Sequence, residues 1–104
     1  MGFLQEGENI ILKDSAKSDF FGKGTLYLTN SRMIFEVMTG GLLSKTPEIK
    51  IDQLIRSMKT FAASGKKTLL VQFEGQIQST TLYVDNPEKW EAAIRTVMTL
   101  SGTT

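Results

Sequence analysis

Residues 22–37, GKGTLYLTNSRMIFEV, constrain the fold more than any other stretch. Two runs of alternating apolar and polar residues flank Asn30 and Ser31, a turn pair, so the segment reads as an antiparallel hairpin. In the first run Leu26 and Leu28 point one way and Thr25, Tyr27 and Thr29 the other. In the second, Met33, Phe35 and Val37 share a face opposite Arg32, Ile34 and Glu36. Arg32 is expected over the outer face beside Tyr27 or Glu36. Asn30 suits the turn because it tolerates left-handed backbone, and both Thr29 and Asn30 can bond nearby main chain.

The same signal recurs along the chain. Strands are expected at about 8–14, 20–29, 32–38, 48–53, 54–62, 67–74 and 77–85, each bounded by Gly, Pro, Asn, Asp or Ser. Such spacing suggests an antiparallel sandwich or barrel rather than β-α-β units. Ile49 and Ile51 are read as inward on the fourth strand, and Leu69, Val71 and Phe73 on the sixth. Gly22 and Gly24 favour a bend or bulge in the second strand. Residues 39–47, TGGLLSKTP, form a loop punctuated by paired Gly and a Pro.

The last segment changes period. Asp85 or Asn86 is a helix N-cap, Pro87 fits the first turn and Glu88 the positive helix end. Trp90, Ile94, Val97 and Met98, with Ala93, make an apolar stripe, so a helix at about residues 86–100 must be covered on one face. Trp90 is the natural plug for one end of a small barrel. The whole of residues 1–104 makes one domain, large enough to bury a core without disulfides or metal.

Charge and composition narrow function by exclusion. Twelve Lys plus Arg balance eleven Asp plus Glu, so no global basic field draws the chain to nucleic acid. With no His and no Cys, imidazole bases, thiol nucleophiles and the usual transition-metal ligands are all missing. No Ser-His-Asp triad can form, and the carboxylates match no calcium loop. SGKKT at 64–68 lacks the upstream Gly and following helix of a phosphate-binding P-loop and reads as a polar hairpin turn. The expectation is a non-enzymatic protein without a cofactor. No run of about 18 apolar residues could span a bilayer. The N-terminus has no basic region followed by a long apolar run, so no signal peptide or anchor is expected.

Seven antiparallel strands followed by one helix is the element order of the pleckstrin-homology (PH) superfold. GTLYLTNSRMIF resembles the G-x-L-x-L-T-N-x-R-L-I-F hairpin of GRAM domains and prokaryotic PH-like domains, with Met33 where Leu is usual. GGLLSKTPEIKIDQLIRSM resembles the segment of bacterial PH-like proteins in which a G-L-L-S loop leads into an E-I-x-I-x-x-I strand and then a Ser. The resemblance covers residues 22–58. It implies a PH-like split barrel of two near-orthogonal sheets, capped at one corner by the helix.

PH-like domains often hold phosphoinositides between their first two strands, on a Lys ending the first and a K/R-x-R on the second. Lys13 and Lys23 occupy comparable places, but Thr25 stands where the Arg would be, so the bidentate fork for a phosphate is missing. Asp14 and Asp19 add repulsion. The resemblance implies instead a module working at the cytoplasmic face of a membrane. It would bind anionic phospholipid weakly through Lys13, Lys17, Lys23 and Lys45, with Leu42 and Leu43 dipping into the interface. The alternative is a protein-interaction or self-assembly domain, docking a partner strand or a second copy through a sheet edge or the GGLL loop. GLUE domains, which share the PH-like fold and bind lipid or ubiquitin, support both uses. Leu42 and Leu43 could equally pack internally.

Overall fold

The computed structural model describes residues 3–40 and 45–100. Seven strands run in chain order: β1 (Ile10–Ser18), β2 (Gly22–Thr29), β3 (Arg32–Thr39), β4 (Thr46–Leu54), β5 (Met58–Ala63), β6 (Thr68–Phe73) and β7 (Thr80–Tyr83). A 3₁₀ turn (Ile55–Ser57) joins β4 to β5, and helix α1 (Pro87–Leu100) ends the described chain. All strands belong to one antiparallel sheet, ordered β4-β3-β2-β1-β7-β6-β5. The sheet is not closed: β4 and β5 are its two ends. Its narrowest joint is β1 with β7, where only Lys17 with Tyr83 and Ser18 with Leu82 are paired.

Strand limits depart from the alternation pattern where side chains bond to the backbone. β1 runs on to Ser18, because Ser18 Oγ accepts the N–H groups of Phe20 and Phe21 at 3.0 and 3.1 Å and turns the chain only there. Lys17, beyond the expected end of the first strand near residue 14, is therefore a strand residue. The expected strand at 54–62 begins instead at Met58. Ser57 Oγ donates to the Leu54 carbonyl at 2.7 Å and closes the 3₁₀ turn. The bulges fall between Ile10 and Leu12, Phe35 and Glu36, and Met58 and Thr60, not at Gly22 or Gly24.

The inward faces agree with the alternation for β2, β3 and β6. Leu26, Leu28, Met33, Phe35, Val37, Leu69, Val71 and Phe73 form one core with Trp90, Ile94 and Val97 of the helix. Each such burial stabilises by roughly 1.5–3 kcal/mol. Asn86 is the N-cap, its Oδ1 accepting the Lys89 N–H at 3.2 Å. Trp90 is fully buried, and its Nε1–H donates to Asp14 Oδ2 at 3.0 Å, tying helix to β1.

β4 breaks the expected pattern. Phe35 pairs with Ile51 and Glu36 with Ile49, leaving Lys50 as the extra residue of a bulge. Ile51 packs on the core, while Ile49 turns outward.

The outer face of β2 and β3 is largely buried as well. Tyr27, Thr29, Arg32 and Ile34 are all buried. The segment before β1 lies over them: Phe3 stacks 4.8 Å from Tyr27, and Glu8 enters the cover. Arg32 pairs with Glu8 and Asp52, not with Tyr27 or Glu36. Tyr27 Oη instead donates to Glu36 at 3.2 Å. The turn gains its rigidity from side chains in ordinary backbone conformation. Thr29 Oγ1 accepts the Ser31 and Arg32 N–H groups, and Asn30 bonds Gly7 and Asn9 without a positive φ.

Candidate functional site

Strand alternation places Lys13, Ser15 and Lys17 on the outer side of β1. The register sets Lys17 directly opposite Lys23 of β2 on one side and Tyr83 of β7 on the other. Like charges facing each other across an antiparallel pair repel. Beyond Tyr83 the sheet continues to Lys67, whose carbonyl accepts the Val84 N–H at 2.9 Å. The result is an open groove of about 490 Å³ walled by Lys17, Lys23, Lys67, Tyr83 and Asp85.

Its electrostatics are one-sided. Three ammonium groups face one carboxylate, and Asp85 meets only Lys67, at 3.7 Å with both side chains exposed. Such an exposed pair contributes at most about 1 kcal/mol. Lys17 and Lys23 take part in none of the ion pairs found among the described residues. Tyr83 Oη donates to Asp19 Oδ2 at 2.9 Å, which holds the phenol above its ordinary value.

The other expected contacts are scattered. Lys13 stands 5.7 Å over the Tyr27 ring, farther along β1. Lys45 is exposed just before β4 and lines neither this groove nor the cavity beside it. Leu42 and Leu43 lie outside the described residues.

Two apolar residues join the picture that were not expected in it. Phe20, at the β1–β2 turn, is 89% exposed, and Ile77, between β6 and β7, is 95% exposed. Because β7 is antiparallel to β1, both turns lie at the same end of the sheet. The signals in the sequence were the Phe pair before Gly22 and the lysines of SGKKT. That Lys67 reaches the groove of Lys17, and that Phe20 and Ile77 share an end of the sheet, both depend on the β1–β7 and β6–β7 pairings, which no local pattern reveals.

Among the described residues no group of three or more acidic, His or Cys side chains could hold a metal ion. No described helix is long and apolar enough to cross a membrane. Comparison with known protein families gives no match, and comparison with curated proteins gives none either.

Proposed function

We propose that this chain is a non-enzymatic, PH/GRAM-like binding module that attaches weakly to anionic membrane lipid at the cytoplasmic face. The observation that carries the reading is Lys17 set directly against Lys23, with Lys67 across the groove. Lys17 and Lys23, in none of the ion pairs found among the described residues, make sense where an anion settles between them. Three residues past Lys17, at the β1–β2 turn, the exposed Phe20 offers apolar insertion. A basic residue near an anionic surface adds about 1 kcal/mol, so three add about 3 kcal/mol. An inserted Phe adds roughly 2 kcal/mol. The sum corresponds to weak, salt-sensitive attachment between millimolar and micromolar.

The proposed architecture is a PH-like split barrel. In its favour, the two-residue β1–β7 joint divides the sheet into β4-β3-β2-β1 and β7-β6-β5, with Trp90 buried between helix and strands. Strand-docking assembly, the alternative use, meets an obstacle at β4. Pro47 and the charged Glu48 and Lys50 stand on that end strand, and such residues blunt edge-to-edge pairing.

Co-sedimentation with phosphatidylserine-containing vesicles tests the reading. Binding is expected at low salt, fading at high salt, and lost in Lys17→Glu plus Lys23→Glu and in Phe20→Asp. No pelleting of the native chain at low salt, or pelleting indifferent to the charge reversals, sinks it. Light scattering that gives a dimer with Phe20 protected would favour assembly.

A further inference from the structure

A second cavity opens at the same end of the sheet, where β1 stops at Ser18 and β7 continues beyond it. It measures about 350 Å³, at the lower end of small-ligand sites. Asp19, Phe20 and Phe21 form one wall, Lys50 and Gln53 of β4 another, and Thr81 of β7 a third.

Each wall has a defined chemistry. Lys50 is the extra residue of the β4 bulge, the device that redirects a side chain, and its ammonium stands 5.9 Å over the Phe21 ring. Its partner Glu48 is about half exposed, and an ion pair so placed exchanges readily for another anion. Asp19 has one oxygen held by Tyr83 Oη. Phe20 and Phe21 meet tilted, centroids 5.5 Å apart, with Phe20 almost wholly in solvent.

The β7 backbone sets the remaining wall. Val84 N–H bonds the Lys67 carbonyl, so alternate residues 84, 82 and 80 direct their backbone groups to β6. Residues 83 and 81 face the other way. Lys17 pairs with Tyr83, and Thr81, one step past the last β1–β7 pairing, lines the cavity opposite Asp19.

We propose that this cavity binds a phosphocholine group: the phosphate on Lys50 and Gln53, and the quaternary ammonium between Asp19 and the Phe20 and Phe21 rings. Once the phosphate takes the place of the half-exposed Glu48 on Lys50, one anion and one cation on separate walls complement a zwitterion better than a simple anion. A quaternary ammonium has no N–H to satisfy, so it suits a carboxylate already half-occupied by Tyr83 and an exposed aromatic face. The site is separate from the lysine groove and stands whether or not that groove binds lipid.

Titration of the isotopically labelled protein with soluble phosphocholine, followed by amide NMR shifts, tests the assignment. Shifts are expected at Asp19, Phe20, Phe21, Lys50 and Thr81. Asp19→Asn, which keeps an acceptor for Tyr83, and Lys50→Gln should each weaken binding about tenfold, the effect of one charged contact. Choline alone and inorganic phosphate alone should bind more weakly by a similar factor. Lys17→Glu plus Lys23→Glu should leave the titration unchanged. Shifts at Lys17, Lys23 and Lys67 instead, no shifts, or native-like binding by Asp19→Asn would overturn the proposal. Pelleting with pure phosphatidylcholine vesicles at high salt, where the groove is screened, would make the source a lipid headgroup. Titration without pelleting would make it a free phosphocholine ester.

Discussion

The guanidinium of Arg32 donates to both oxygens of Glu8, Nη2 to Oε1 at 2.6 Å and Nε to Oε2 at 2.9 Å, across 24 positions of sequence. Nη1 reaches both oxygens of Asp52 at 3.0 Å, and Nη2 also bonds the Phe3 carbonyl. Glu8 Oε2 receives the Thr29 hydroxyl at 2.6 Å and the Ser31 hydroxyl at 3.1 Å as well. One buried network thereby locks the leading segment, the β2–β3 turn and β4 together.

Removing one partner from a buried pair leaves the other charge unmatched, at a cost of about 3–5 kcal/mol. Asp52 stays with Arg32, so Glu8→Gln should fall near about 3 kcal/mol, read as a lower urea midpoint. The Arg32 bond holds the Glu8 carboxyl at about 2, against an ordinary value of 4.5. A carboxylate depressed on folding contributes stability that is fully present above its unfolded value. That contribution drains away as pH falls through the folded one. Native stability should therefore decline between about pH 4.5 and pH 2, by about 3 kcal/mol from this group. In Glu8→Gln that part of the slope should vanish. An unchanged slope would mean that other carboxylates control acid unfolding.

The Trp90 indole and Asp14 are the next long-range tie, 76 positions apart at 3.0 Å. Trp90 is the only tryptophan in the chain, so its fluorescence reports this contact directly. Asp14→Ala leaves a buried N–H without an acceptor, a loss of about 1–3 kcal/mol. In the Trp90→Phe background the same change should cost much less, since no donor is left behind. Equal costs in both backgrounds, followed by circular dichroism, would show that the bond does not couple helix to sheet.

Function and stability pull apart at the Lys17–Lys23 pair. Removing a like-charge repulsion across two strands gains about 0.2–1 kcal/mol, and Thr also suits a strand. Lys23→Thr should therefore raise the thermal midpoint while weakening attachment to anionic vesicles. A destabilised variant, or one that binds as well as the native chain, contradicts that trade-off.

How far this was legible in the sequence depends on the range of the interaction. The inward faces of β2, β3 and β6 and the helix stripe follow from neighbours two to four residues apart, and alternation exposes them. Ile49 misled because the bulge at Lys50 is set by pairing with β3 and leaves no local mark. The cover on Tyr27 was hidden for a different reason: it comes from Phe3, in a stretch without periodicity. The lysine groove was half visible. Lys17 and Lys23 flank one turn, but Lys67 arrives only through the β1–β7 and β6–β7 pairings.

Two glycines of β2 should respond to substitution in opposite ways. Gly22 has φ of 81° and open space where a Cβ would stand. Its constraint is conformational, so Gly22→Ala should cost about 1–2 kcal/mol, and Gly22→Asn less, since Asn visits left-handed backbone more readily. Gly24 has ordinary backbone but no room: a Cβ there would overlap the Glu36 carbonyl oxygen and press on Val37 and Phe35. Backbone cannot rotate away as a side chain can, so β2 and β3 must separate, at about 1–3 kcal/mol for Gly24→Ala. Asn at 24 is larger and should cost more than Ala. Urea titration of the four variants checks the crossover. If Asn is the milder change at both positions, the close approach at Gly24 is not what requires a glycine.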